Sequence, residues 1–467
     1  MFSKQLLSRK KYCQLLLEKL LEKYPYASIL GKQIKGKTIL CIKDSNRIGD
    51  TREKEYGFVA RVFNGKNYVE YSFVEINENN IPELINKIDK EANLASNIEA
   101  KLMPETVLND EPLVQDFVRN KEGRDFTDQE IQNFLEEYRQ ELLNYDPRIV
   151  FVQLMHEFFE VSSFFMSKNR NLTQNYSWSN IMVYAASKDE NNMQSVYQTY
   201  AYNNLETCMQ KAKEQLKDNA QLAIDLLSST NIKPGVYDII TAPSITGLIA
   251  HEAFGHGVEM DMFVKHRAEA RKYINKRVAS KLVNMHDGAA STLSQASYFF
   301  DDEGVLAHDT LIIKEGILLT GICDSVSANE LKAKATGNGR RETTQRKAYT
   351  RMTNTFFEPG NDNLEDMIKS IKHGYMLFQT NNGMEDPKNW NIQCTACYGR
   401  EIKDGVFTGK IVAPVVMSGF VLDLLNSISM VSKDFEVIGA GHCGKGYKEW
   451  VPVSDGGPYL KARCKLG

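Results

Sequence analysis

A chain of 467 residues exceeds what one ordinary hydrophobic core holds, so two domains are expected. Apolar residues make up 42% and charged residues 25%, which excludes a disordered, fibrous or collagen-like protein. Lys and Arg number 57 against 60 Asp and Glu, a formal charge of -3 that asks for neither nucleic acid nor an anionic membrane.

The first segment, MFSKQLLSRKKYCQLLLEKLLEKYP, has Lys or Arg breaking every apolar run. It reads as an amphipathic helix and not as a secretory signal. The apolar runs at 411–417 and 420–425 fall far short of the roughly 20 residues that span a bilayer, so no membrane segment is expected. Eight scattered cysteines without a signal peptide fit free thiols in a reducing cytoplasm.

Between Ala27 and Phe73 short strand-like runs alternate with turns, Asn64-Gly65 being a hairpin signal, and predict a small antiparallel sheet. Pro82 starts a helix with Leu84, Ile85 and Ile88 on one face, suited to cover that sheet. From Glu105 to Pro147 the composition turns polar and acidic. There Thr127 and Glu130 form a capping box ahead of Ile131, Phe134, Leu135, Tyr138 and Leu142, a surface-packed helix inside a mobile connection. Strand-like runs return at Arg148–Met166 and Ile181–Ala186, and Leu205–Leu227 reads as one long amphipathic helix. The polar stretch SSTNIKPG marks a boundary between domains 1–230 and 231–467. Beyond it come a strand (VYDIITA), one clear helix and many short strands with Gly turns. The fold class is α+β: an N-terminal α/β domain with an antiparallel sheet and covering helices, then a mostly antiparallel β domain carrying one metal-binding helix.

That helix holds SITGLIAHEAFGHGVEMD, in which His251, Glu252 and His256 form a His-Glu-x-x-x-His pattern, with Ser244 or Thr246 as its cap. The spacing is one residue longer than the usual zincin motif. On an ideal α-helix the two histidines point about 140° apart. A π-turn would align them, and Gly255 and Gly257 would let the backbone deform. A catalytic zinc takes three protein ligands, so two histidines are one short. Spacing leaves the third open among Cys443, Cys394, Cys397, Cys323, Glu259 and Asp261. Glu252, beside His251, is suited to act as general base on water at such an ion.

Five ordered blocks resemble the TldD/PmbA family of zinc metallopeptidases, long labelled modulators of DNA gyrase. They are HEAFGHGVE at 251–259, FDDEGVLAHDTLIIKEGIL at 300–318, ATGNGRRE at 335–342, RMTNTFFEPG at 351–360 and GHCGKGYKEWVPVSDGGPYLKA at 441–462. GFVARVFNG at 57–65 and KPGVYDII at 233–240 are weaker matches. The resemblance implies one Zn2+ per chain on His251, His256 and Cys443, with Glu252 as base. It also implies a homodimer, or a heterodimer with a related subunit lacking the motif, around a closed cavity that admits unfolded peptides. Two segments depart from the family: the basic run Lys265–Lys281 and the acidic helix near Thr127.

Several further residues have two readings. Asn338, Arg340, Arg341 and Asn354 would line a peptide cleft or brace Gly-rich loops. Glu259 and His442 are candidates to orient a ligand. Cys394 and Cys397 lack the context of a redox or zinc-knuckle pair. The run Lys265–Lys281 reads as a solvated helix face, since its basic residues alternate with apolar ones at helical spacing. The function expected is a cytoplasmic zinc peptidase of unfolded peptides. Its alternative is a peptide-binding or regulatory subunit with a structural metal, for which a fourth strong ligand would be the mark. Regulation of a topoisomerase through DNA contact has only the basic run behind it.

Overall fold

The computed structural model describes residues 2–43, 45–96, 111–446 and 448–467. The N-terminal half forms an eight-stranded sheet from β1 (Tyr26–Ile42), β2 (Ser45–Asp50), β3 (Glu55–Phe63), β4 (Tyr68–Phe73), β5 (Leu113–Val118), β6 (Ile149–Ser167), β7 (Arg170–Lys188) and β8 (Met193–Tyr202). The order is β4-β3-β1-β6-β7-β5, with β2 beside β1 and β8 beside β7. Its described pairings are antiparallel apart from β5 with β7. Asn64-Gly65 turns β3 into β4, with Gly65 at φ +88°, where a side chain would be strained.

Helices cover this sheet as their apolar spacing demands. In α1 (Lys4–Leu21) the Ser3 cap accepts from the Leu6 amide, and Leu6, Cys13, Leu16, Leu17 and Leu20 share the buried face. With Leu84, Ile88 and Ala92 of α2 (Ile81–Ser96) they cover Ile29, Phe58, Val62 and Phe164 of the sheet. The capping box of Thr127 and Glu130 opens α3 (Asp128–Leu143), which buries Ile131, Leu135, Tyr138 and Leu142 in the core of Ile39 and Leu154. This helix is thus an integral cover and not part of a mobile connection. Residues 105–110 of the stretch assigned to that connection lie outside the described residues.

One expectation here is corrected and one strand was not foreseen. The segment from Leu205 is two helices, α4 (Leu205–Glu214) and α5 (Leu216–Asp225), broken at Gln215 and followed by a short 3-10 turn. Gln215 leaves helical geometry and its side chain accepts from the Tyr200 hydroxyl at 3.2 Å, so both halves reach the curved surface of β7 and β8. Strand β8 itself escapes sequence reading because only Val196 and Tyr200 of its ten residues are buried, too few to show an alternation.

The C-terminal half contributes β9 (Gly235–Thr241), β10 (Met285–Asp287), β11 (Thr310–Lys314), β12 (Ile317–Leu318), β13 (Gly339–Arg340), β14 (Tyr349–Thr350), β15 (Asn354–Phe357), β16 (His373–Asp386), β17 (Asn391–Lys403), β18 (Val406–Val412), β19 (Val415–Phe420), β20 (Met430–Lys445) and β21 (Lys448–Leu466). The pairings β9–β16–β17–β19–β21 return to β9, closing a five-stranded barrel. Closure removes the free edges of those strands. Strand β20 pairs with β21, and β15, β10, β11 and β12 extend the sheet from the far end of β21. The fold is α+β, mostly antiparallel, with parallel pairs at β9–β16 and β15–β21.

The run Lys265–Lys281 is not a helix, as its spacing had suggested. It holds a 3-10 segment at Glu269–Tyr273 and otherwise irregular chain, with His266 at φ 55° and Asn275 at φ 63°. Ala268, Ala270, Val278 and Ala279 anchor it in the main C-terminal core, so its apolar residues pin a loop. All eight cysteines are free thiols, and among the described residues no helix is long and apolar enough to cross a membrane. Buried ion pairs tie the two sheets: Arg61 meets Glu303 and Glu70, and Arg341 also reaches Glu70.

Candidate metal centre

The motif helix begins two residues earlier than a Ser244 cap would place it and four earlier than a Thr246 cap would. In α6 (Pro243–Leu248), Ala242 is the N-cap, without a side-chain hydrogen bond, and Pro243 occupies the first turn, where its missing N–H costs nothing. Thr246 instead pairs its hydroxyl with that of Thr241 at 2.7 Å. From Ile249 to Gly255 the chain is π-helical, and the His256 amide donates to the His251 carbonyl five residues back. The wider turn brings the two imidazoles together, with ring centroids 5.2 Å apart and planes at 89°. The adjacent glycines serve packing more than backbone freedom. A Cβ on Gly255 would come within 2.2 Å of Met352 Sδ, and one on Gly257 within 2.7 Å of Glu385 Oε1.

The third member arrives from the other end of the sequence. Cys443 stands on β20 opposite Val451, next to a bulge before Lys445, and faces the helix. Its Sγ lies 3.3 Å from His256 Nε2, and one donor atom each from His251, His256 and Cys443 lie within 4.8 Å of one another. Among the described residues this is the one group of three or more His, Cys, Asp or Glu that could hold a metal ion. Of the other candidate ligands, Asp261 is bound by Lys445 and Lys265, and Cys394, Cys397 and Cys323 fall outside the group. Glu252 puts Oε2 3.8 Å from His256 Nε2, and Gly383 of β16 packs against its side chain.

Charge around the centre is specific. Burial acts to raise the Cys443 thiol, but the two imidazoles beside it outweigh that and hold it at about 5. Burial acts to lower His251, and the Cys443 thiolate overrides it, bringing the imidazole to about 9. A thiolate between two imidazoles is a zinc donor set. His251 Nδ1 is buried without a hydrogen-bond partner, a second sign that the protein alone leaves the centre incomplete. The residues therefore fit a zinc ion.

Glu259 orders the second layer. Its Oε2 lies 3.2 Å from His256 Nδ1, which leaves Nε2 turned to Cys443. Arg351 Nε donates to Glu259 Oε1 at 3.1 Å, its Nη2 donates to Cys443 Sγ at 3.0 Å, and Lys445 adds a contact to Glu259 at 3.3 Å. Burial would raise the Glu259 carboxyl, but Lys445, His256 and Arg351 hold it well below the carboxylate range.

The remaining predicted residues lie elsewhere. Asn338 donates to Asp287 Oδ1 and the Arg351 carbonyl, Arg340 to the Met352 carbonyl, and Asn354 to Gly288, Thr292 and Ser297, so all three brace loops behind the centre. His442 points to the opposite side of β20 from Cys443, its Nε2 2.7 Å from Glu53 Oε1. Sequence reading missed Arg351, Lys445, Glu385 and Asp455. All but Glu385 lie within the resembling blocks, but nothing local distinguishes them from surface charges.

Residues 234–464 match the family described as PmbA/TldA metallopeptidase C-terminal domain. Through this region the chain belongs to the TldD/PmbA family of metallopeptidases. Among TldD/PmbA relatives, a metalloprotease of Methanocaldococcus jannaschii is 34% identical over 252 residues, 52% of this chain and 55% of that one. A zinc metalloprotease TldD homolog of Saccharolobus solfataricus is 32% identical over 246 residues, 52% and 54% of the two chains. The chain thus spans about half the length of the curated relatives it matches. Two solved structures share the fold across almost the whole chain at 16% identity. One is a modulator of a DNA gyrase from Thermotoga maritima, with TM-score 0.78 over 98% of this chain and 100% of that one. The other is TldE from Thermococcus kodakarensis, with TM-score 0.76 over 97% and 99%.

Proposed function

We propose that the chain is a zinc-dependent peptidase of unfolded or extended peptides, with one zinc ion on His251, His256 and Cys443 and Glu252 as general base. The observation that carries this reading is the convergence of two imidazoles and a thiolate within 4.8 Å, with a carboxylate beside them. Zinc held there would polarise a peptide carbonyl and acidify water. Glu252 takes the proton of the attacking water and passes it to the leaving nitrogen. Glu259 fixes the His256 tautomer, and Arg351 with Lys445 neutralises Glu259, so that carboxylate stays an acceptor.

Two features support catalysis over a structural metal. No fourth ligand joins the triad among the described residues, which leaves a coordination position for substrate. Among the described residues strand β20, which carries Cys443, pairs with β21 on one side and with no other strand, its remaining main-chain contacts including those around Ser432 and the Arg351 guanidinium on the Cys443 carbonyl. An extended peptide adding to that edge would run past the thiolate and be recognised through its main chain. The test is digestion of an unstructured peptide mixture by the zinc-loaded chain and by Glu252→Gln, with fragments read by mass spectrometry. Cleavage by the first and none by the second is expected. Equal rates would overturn the base assignment, and no cleavage by zinc-loaded wild type would overturn the peptidase reading.

A further inference from the structure

The triad has a second carboxylate at its side that no cation bonds among the described residues. Asp455 belongs to β21, on the face that also carries Val451, the residue opposite Cys443. Its Oδ1 lies against α6 at Gly247, one turn before His251, where a Cβ on the glycine would come within 2.6 Å of it. There it feels the charges of His251, Glu252 and Cys443. It has no hydrogen bond or ion pair among the described residues, yet its side chain is half-buried and so reachable from outside. The nearby cations are already engaged: Arg351 on Glu259 and Cys443, Lys445 on Glu259 and Asp261. Glu252 and Asp455 therefore set two carboxylates beside the triad, with His251 the positive charge that acts on Asp455.

We propose that Asp455 is a binding residue for an ammonium group of the peptide, so that the position of cleavage is set by its distance from that charge. This deepens the peptidase reading and rests on it. A buried carboxylate without a bonded partner costs free energy, and a bound cation removes that cost. The ammonium can be an amino terminus or a lysine side chain, since both present three N–H donors on a point charge.

The test uses one ten-residue unstructured sequence without internal Lys or Arg in three forms: free amino terminus, acetylated, and acetylated with a single internal Lys. Affinity is measured on zinc-loaded Glu252→Gln, with and without Asp455→Asn, and cleavage is measured on wild type. Acetylation is expected to weaken binding roughly tenfold or more, the worth of a charge-assisted hydrogen bond. With Asp455→Asn the free and acetylated forms should bind with a ratio of about one. Restoration by the internal Lys assigns the subsite to side chains, and failure to restore assigns it to the terminus. Equal binding of all three forms, or a preference that survives Asp455→Asn, overturns the proposal. So does loss of zinc from Asp455→Asn, which would make this carboxylate a support for His251. A preference in binding with no cleavage by wild type overturns the peptidase reading alone.

Discussion

The guanidinium of Arg351 bridges Cys443 Sγ at 3.0 Å and Glu259 Oε1 at 3.1 Å, and Glu259 in turn meets His256 Nδ1 at 3.2 Å. One fully buried side chain thereby links a candidate thiolate ligand from β20 to a candidate imidazole ligand from the motif helix. Arg351 also donates to the carbonyls of Cys443 and Glu449, which fixes the β20–β21 turn against the helix.

Replacing this hub by Arg351→Met is expected to lower unfolding stability by about 3 kcal/mol, the low end for breaking a buried ion pair, since Lys445 stays on Glu259. Arg351→Lys should recover only part of that, since one ammonium cannot serve both partners of a planar fork. Urea denaturation of the three proteins reads it. A Met variant within about 0.5 kcal/mol of wild type, the range of an ordinary surface change, would show that the bridge carries no stability.

Zinc content follows from the donor set. Mass spectrometry of the purified native chain should find about one zinc per chain, the closed count for a single three-ligand centre. Cys443→Ser should lose most of it, because a hydroxyl stays protonated where the thiol, held at about 5, is ionised. Equal zinc in both proteins would remove Cys443 from the ligand set.

Gly383→Ala tests the placement of Glu252 without touching a ligand. The added methyl would come within 2.5 Å of Glu252 Cγ and 3.0 Å of Leu248 Cδ1, so the carboxylate must move. A displacement near 1 Å should lower kcat on the order of a hundredfold, with zinc retained. Undiminished kcat would mean that Glu252 has room to adjust, or is not the base.

Acid sensitivity should trace in part to His156. Burial lowers its imidazole to about 4 from 6.5, although the Asn180 carbonyl 2.9 Å from Nδ1 opposes the shift. The unfolded chain then binds more protons between those values, so stability rises with pH across the window and is lost as pH falls from 6.5 toward 4. His156→Gln should flatten the pH dependence of the denaturation midpoint there. An unchanged slope would assign the acid lability to other groups.

The readable parts of this chain were local. Asn64-Gly65, the Thr127 and Glu130 box and the apolar faces of α1, α2 and α3 each follow from a few adjacent residues, and each forms as expected. The five-residue step from His251 to His256 likewise demanded a π-turn, which the chain adopts. Reading failed where a distant partner decided the outcome. Gln215 breaks a helix to meet β8, and the run Lys265–Lys281 is pinned by three alanines and Val278, whose core lies elsewhere.

Local sequence placed two histidines and a glutamate on one helix, at a spacing that brings both histidines to one ion only if the turn widens, because helical pitch links residue spacing to direction. It also held the third donor in a glycine-rich block, without a reason internal to that block to choose it over five other residues. Long-range packing settled the rest: the pairing of β20 with barrel strand β21, the Arg351 bridge, the outward turn of His442 and the unbonded carboxylate of Asp455. Those depend on strand pairings between residues as far apart as Gly235 and Leu466, whose register comes from core packing and chain closure, terms that no local window of sequence contains.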